Sequence, residues 1–401
     1  MTPFDLNYLR LTLEIEKHIP GYIDAYLGPA GVQAEVNAAP KQSPAGLLND
    51  LAQLQDTIPA GDPARQAYLQ ASLRAIGGTL HILNGAEISY LDEVATLYDI
   101  TPRPVDETIY TTAHRELDNL LPGRGSLAER QEAHRQRYLL APEQLMPLLA
   151  LARDETQRRT AALVDLVPGE SIELRIVYDK PWSAYNWYLG QGHSLVEFNN
   201  DIPINALHIL STMAHEGYPG HHTEAQLKER HLLHQRGYGE QASFLLHSPA
   251  AVIAEGIATT ATEIIFPNGG EHTWNAEQLL PAAGMAFESA AAMQRLAQAQ
   301  HALRSVAANA AIFYHTGQFT RDQTLDYLQT YTLSSPGRAA KSFQFFTNPL
   351  FRSYIFTYTH GYDLIAAAAN NRDKTPLFKQ LLASQLLPSQ LAAMATDGES
   401  T

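Results

Sequence analysis

The sequence predicts a mainly α-helical fold with a small β-sheet. Two observations carry that reading: apolar residues recur at helical spacing over long stretches in both halves of the chain, and only one short central region has the character of strands. No internal repeat is present.

Taken in order, residues 3–18, 63–83, 104–121 and 142–166 show helix-length apolar periodicity. They are parted by breakers such as Pro59-Ala60-Gly61-Asp62-Pro63 and Pro122-Gly123. Glu173-Leu174-Arg175-Ile176-Val177-Tyr178, Ala184 to Leu189 and Ser194 to Phe198 read as strands, the last two joined as a hairpin through Gly190-Gln191-Gly192-His193. Such strands serve either as a cover for the core or as an edge that holds an extended peptide by main-chain hydrogen bonds. Ser248 and Pro249 then supply an N-cap and a first helical position for a helix that closes at Pro267-Asn268-Gly269. From residue 276 the chain returns to helix, with the Ala-rich run 284–311 as core, Thr320-Arg321-Asp322-Gln323 as a capping-box start and Asn370-Asn371 as a stop.

Between the strands and the Ser248 helix, His215-Glu216-Gly217-Tyr218-Pro219-Gly220-His221-His222 gathers three imidazoles and a carboxylate. A hydrolytic Zn²⁺ site needs neutral nitrogen or carboxylate ligands, an open position, and a nearby carboxylate that is not itself a ligand. His215-Glu216 opens like the metalloprotease helix His-Glu-x-x-His, whose Glu is the general base, but the fifth position is Pro219. Proline has no N–H for the His215 carbonyl, so the helix must kink, widen or end there, with Gly217 and Gly220 supplying backbone freedom. On a regular helix His222 returns to the face of His215, about 10 Å along the axis. A turn enlarged by two residues instead brings His221 to the place of the second histidine. The enlarged turn is the favoured reading, and His222 remains the alternative ligand. Gly and Pro also punctuate ordinary helix ends, and surface histidines after a C-cap are the plain alternative.

A third ligand must come from elsewhere. In the Ser248 helix, Ala251, Glu255, Ala258 and Thr262 share one face, so Glu255 projects from small residues that admit a close neighbouring helix. A carboxylate buried there needs compensation, and a metal is one form of it. Glu263 lies on another face near the helix end and is expected to be solvated.

Three runs, Asn199-Asn200-Asp201-Ile202-Pro203, Ala214 to His222, and Ala254-Glu255-Gly256-Ile257-Ala258, together resemble the bacterial family known as domain of unknown function 885, grouped with zincin-like metallopeptidases. The likeness extends to Glu16 through Pro29 near the start, and to Phe313-Tyr314-His315-Thr316-Gly317-Gln318-Phe319-Thr320 and Tyr358-Thr359-His360-Gly361 near the end. Members typically carry an aromatic where Ile257 stands and a Lys-Ile pair where Thr359-His360 stands. The resemblance implies a zincin-like helical metallohydrolase. Along the chain a helical region, 1–170, precedes a zincin-like metal-binding region, 171–401, and the two are expected to form one continuous unit.

Tyr314, His315, Arg352, Tyr358 and His360 are the polar candidates for holding an oxyanion or a substrate carboxylate, and the resemblance selects Tyr358 and His360. Trp182, Trp187 and Tyr188 are either an apolar subsite or core. With 401 residues and 45% hydrophobic content the chain can bury a substantial core. Its net charge of −14 opposes a nucleic-acid partner. The absence of cysteine excludes disulfides and thiolate ligands. No run reaches the roughly 20 apolar residues of a membrane span, and Met1-Thr2-Pro3-Phe4-Asp5-Leu6-Asn7 lacks the pattern of a secretory signal, so a cytoplasmic protein without a membrane partner is expected.

The resulting expectation is a zinc-dependent peptidase acting on short peptides. One Zn²⁺ per chain, or another divalent ion, is held by His215, His221 or His222, and Glu255, with Glu216 as general base and Tyr358 and His360 at the site. A metal-dependent amidase or esterase acting on other small molecules, and an inactive helical binding protein, are the alternatives. The oligomeric state is left open.

Overall fold

Several helices start in this chain where a polar side chain can take up the backbone N–H groups of a first turn. In the computed structural model, which describes residues 1–180, 182–201, 203–286, 289–370 and 372–397, helix accounts for 64% and strand for 8%, so helix packing sets the architecture. Thr2 and Asp5 form a capping box ahead of Pro3–Glu16, and Asp62 accepts from the Ala64 and Arg65 amides ahead of Pro63–Leu83. Thr320 and Gln323 cap Arg321–Thr332 in the same way. Asn370 ends Ile355–Ala369 in the left-handed conformation, φ 47°. Asn371 and Ile202, both part of the sequence reading, lie outside the described residues.

Several boundaries differ from expectation for local reasons. Helix begins not at 104 but at Thr108, where Asp106 accepts the Thr108 amide at 2.9 Å. The stretch 142–166 ends at Ala161, and the Ala-rich run splits into Ala290–His301 and Val306–His315. Ser248 occupies the N-cap of Pro249–Ile265 without capping it, because its hydroxyl donates to the Leu245 carbonyl at 2.7 Å. Helices Ala30–Ala38, Pro44–Gln55, Tyr90–Tyr98 and Leu127–Gln136 lie in segments where the periodicity predicted none.

The strands are β1 (Ile23–Tyr26), β2 (Ser171–Val177), β3 (Ala184–Gly190), β4 (His193–Asn199) and β5 (Ser243–Leu245). β4 is central in a three-stranded sheet, parallel to β2 and antiparallel to β3. The β3–β4 hairpin turns through Gly190, Gln191 and Gly192, all at positive φ. β1, which the sequence did not reveal, pairs antiparallel with β5 and ties the N-terminal segment to the entry of the Glu255 helix. Tyr138, Leu145 and Leu149 share one apolar core with Val196, Phe198, Ile209, Met213, Ile257 and Ile365. Residues from both sides of position 170 therefore pack together.

The Glu255 helix, Pro249–Ile265, is buried along most of its length. It touches Ile355–Ala369 backbone to backbone: a Cβ on Gly256 would stand 2.7 Å from the Gly361 carbonyl oxygen, and one on Gly361 would stand 2.4 Å from that of Val252. Only glycine permits that approach. The close approach lies at Gly256, one position beyond the small-residue stripe through Glu255.

Candidate metal centre

The helix Ala206–Glu216 stops because its next turn cannot close. Gly217 makes the last regular bond, N–H to the Met213 carbonyl at 2.8 Å, and the Gly220 N–H then reaches back six residues to Ala214 at 2.9 Å. The chain crosses itself so tightly that a Cβ on Gly220 would lie 1.9 Å from the His215 carbonyl oxygen. A new helix, His221–Lys228, starts at once. The two extra residues in the loop bring the His215 and His221 rings together edge to face, with centroids 4.8 Å apart.

Glu255 completes a triangle. His215 Nε2 is 3.4 Å from Glu255 Oε2, and His221 Nε2 is 3.7 Å from Oε1. Candidate ligand atoms of the three residues lie within 4.8 Å of one another. An ion bound at about 2.0–2.2 Å in a tetrahedral arrangement holds its ligands roughly 3.3–3.6 Å apart. Glu255 is almost fully buried, yet its Oε2 accepts no hydrogen bond among the described residues. Such an unmet buried acceptor is costly, and a cation removes the cost. The donor set, two imidazoles and a carboxylate, therefore fits a divalent ion of the zinc kind.

The electrostatics have the same origin. Burial pulls His215 down, but the Glu255 carboxylate against its ring and the charge of Glu216 outweigh this and raise it to about 9. Burial lowers His221 to about 4, against the pull of Glu255. Glu255 is pressed upward by burial and held below the ordinary carboxylate range by the two histidines and by Tyr354, whose hydroxyl donates to Oε1 at 2.7 Å. Burial raises Glu216 to about 7, with His215 opposing and Glu255 and Asp24 adding to it.

Glu216 sits beside the triangle. Asn186 on β3 holds its backbone carbonyl at 2.5 Å, while its carboxylate makes no side-chain hydrogen bond among the described residues. It faces two cavities that share Trp182, Ala184, His215, Glu216, Phe345 and Tyr358 as wall residues. The inner one, about 170 Å³, also takes in His221, Glu255, Asp24, Tyr188 and Tyr354. The outer one has a volume of about 820 Å³. Trp187 lines neither; it is part exposed and donates to Glu197 at 2.9 Å.

His222 is not brought to the triangle. One step along a helix turns a side chain by about 100°, which sends His222 into the core. There its Nδ1 lies 2.7 Å from Ser194 Oγ and its Nε2 2.8 Å from Glu170 Oε2. Burial lowers that imidazole against the pull of Glu170, while hydrogen bonds from His222, Tyr218 and Gln157 hold Glu170 below its ordinary value despite burial.

Of the paired candidates Tyr358 and His360, helix phase separates the two. Tyr358 lines both cavities, and its ring stacks on His215 with centroids 6.5 Å apart. His360, about 200° further round, lines neither and turns its Nδ1 to the Phe356 carbonyl at 3.2 Å. Arg352 pairs with Glu93 at 3.0 Å, His315 stacks on Tyr90 and bonds the Phe346 carbonyl, and Tyr314 packs edge-on against Phe343; all three are structural. Glu263 is part exposed and bonded to Tyr362 and Lys374. Sequence reasoning passed over Tyr354, although one helical turn before Tyr358 is the same face. It also passed over Asp24, which lay inside the N-terminal motif and binds the Tyr185 hydroxyl.

No protein-family model and no curated protein matches the chain. Among solved structures it is similar to a protein from Colwellia psychrerythraea provisionally described as a lipoprotein, with TM-score 0.52 and 15% identity over 92% of this chain and 69% of that one. It is also similar to a protein of unknown function from Shewanella oneidensis, described in the same way, with TM-score 0.50 and 12% identity over 89% of this chain and 71% of that one. At such identity the likeness shows the fold alone, a mainly helical architecture with small sheets.

Proposed function

We propose that this chain is a zincin-like, divalent-metal-dependent hydrolase that cleaves short peptides, in keeping with its resemblance to the domain of unknown function 885 family. The observation that carries the reading is the convergence of His215, His221 and the unmet Oε2 of Glu255 beside the buried carboxylate of Glu216, at the wall shared by two cavities. His215, His221 and Glu255 would hold the ion, which supplies Lewis acidity toward a carbonyl and toward water. Glu216 takes the proton from the attacking water and returns it to the leaving amine, so the bond to nitrogen breaks without releasing an amide anion. The Tyr358 hydroxyl, on the same wall, donates to the carbonyl oxygen as charge builds on it. Asn186 fixes the Glu216 backbone to β3, the edge strand of its sheet, which offers main-chain groups to an extended substrate.

The test joins metal analysis to turnover on a peptide library. Protein purified without added metal should carry about one divalent ion per chain, and a chelator should remove the ion, the activity and part of the thermal stability together. Glu216→Gln should retain the ion and lose roughly 10²–10⁴ in kcat. Full turnover in that variant excludes Glu216 as the base. A protein without an ion and without turnover leaves only a binding function.

A further inference from the structure

The two cavities carry opposite charge. Among the described residues the inner one is lined by Asp24, Glu216, Glu224, Glu229 and Glu255, with Lys228 as its one lysine or arginine. The outer one is lined by Arg135, Arg304, Arg338 and Lys341, with Glu216 as its sole acid among the described residues. This concentration of positive charge occurs in a chain of net charge −14. Two of the four cations are already neutralised: Arg135 is held by Glu132 through bonds of 2.7 and 2.8 Å, and Arg304 by Asp363. Arg338 and Lys341 are not. Neither makes a side-chain hydrogen bond or ion pair among the described residues. They stand one turn apart on the helix Pro336–Thr347, so their side chains share a face. Asp201 acts on Lys341 and Glu132 on Arg338, each from beyond ion-pair distance.

A guanidinium and an ammonium on one face at a cavity wall match a carboxylate, which accepts two donors at once. The inner cavity offers that group one lysine, Lys228, which Glu224 already holds. We propose that Arg338 and Lys341 form a subsite for a carboxylate of the substrate, so that the enzyme takes short peptides whose free carboxylate lies on the outer side of the cleaved bond. This rests on the hydrolase reading for the substrate's being a peptide; the charge recognition itself does not depend on turnover. The carboxylate comes either from the peptide's C-terminus or from an acidic side chain, and the two sources are separable.

The experiment is a calorimetric titration of the zinc-loaded Glu216→Gln protein with trialanine as its free acid and as its C-terminal amide. The free acid should bind about tenfold or more tightly, and added salt should narrow the gap. In the Arg338→Ala/Lys341→Ala double variant the gap should close. Both side chains are exposed, so its melting temperature should stay at the parent value. Equal binding of acid and amide, binding of neither, or a gap that survives the double substitution overturns the subsite. An amidated peptide ending in glutamate that binds as well as free trialanine supports the subsite and assigns it to side-chain carboxylates. If wild-type protein cleaves peptides without distinguishing acid from amide, the subsite fails and the hydrolase reading stands. If the gap is present and no peptide is cleaved, the subsite stands and the hydrolase reading fails.

Discussion

His221 and His222 are neighbours in sequence and belong to two different regions of the molecule. On one side of their helix, His215, His221 and Glu255 aim their ring nitrogens and carboxylate oxygens at a shared point beside a cavity, and a buried oxygen of Glu255 is left without a donor. On the other side, Ser194, His222 and Glu170 form a chain of short hydrogen bonds in the closed core, with Tyr218 and Gln157 also bonded to Glu170. By residue type the second set looks more like catalytic machinery, since Ser, His and Glu are the parts of a nucleophilic triad. Satisfaction and access separate the two. Saturated and sealed, the His222 chain ties the new helix to β4 and to the loop before β2. The His215 triangle has its bonding capacity left over and space in front of it.

The comparison can be broken most sharply by swapping the histidines. His221→Ala should reduce metal affinity by well over the roughly 10–100-fold that loss of an outer partner costs. His222→Ala should keep the ion but lose about 1–3 kcal/mol of stability, because the buried hydrogen bonds to Glu170 and Ser194 are removed. Elemental analysis and urea unfolding of the two variants decide the matter, and the reverse ranking would move the ligand to His222. Next in size, Tyr358→Phe should lower kcat by roughly 10²–10³ with metal content and melting temperature unchanged. Early unfolding or metal loss would make Tyr358 a structural tyrosine. Tyr354→Phe removes the donor that orients Glu255 and should cost about 10–100-fold in metal affinity, read by competition with a chelating dye. Smallest of all, Ser194→Ala should take about 1–2 kcal/mol from stability and nothing from kcat. A loss of turnover there would show that the closed chain takes part in the chemistry.

What the sequence made legible is what neighbours along the chain settle among themselves. Helical periodicity, the capping boxes at Thr2 and Thr320, and the hairpin at Gly190 to His193 are properties of residues within a turn or two of one another. The break at Pro219 belongs to the same class: a missing N–H opens the helix, and two added residues change which histidine faces His215. Helix phase likewise singled out Glu255. The terminal motif named both Tyr358 and His360, yet residues two apart on a helix point to different sides, and phase alone could have separated them.

Other features only the tertiary structure decided. Tyr354 meets Glu255 from 99 residues away, Glu170 meets His222 from 52, and Asp24 meets Tyr185 from 161. The charge division between the cavities arises in the same way, because β1, β3 and the His221 helix close the acidic side while the helix Pro336–Thr347 brings its cations to the other. The physical reason is common to all of them. A local pattern specifies which way a side chain leaves its own helix, whereas what it meets depends on how helices pack across the core; Tyr354 meets Glu255 where their two helices close on Gly256 and Gly361, residues with no side chain to announce the contact.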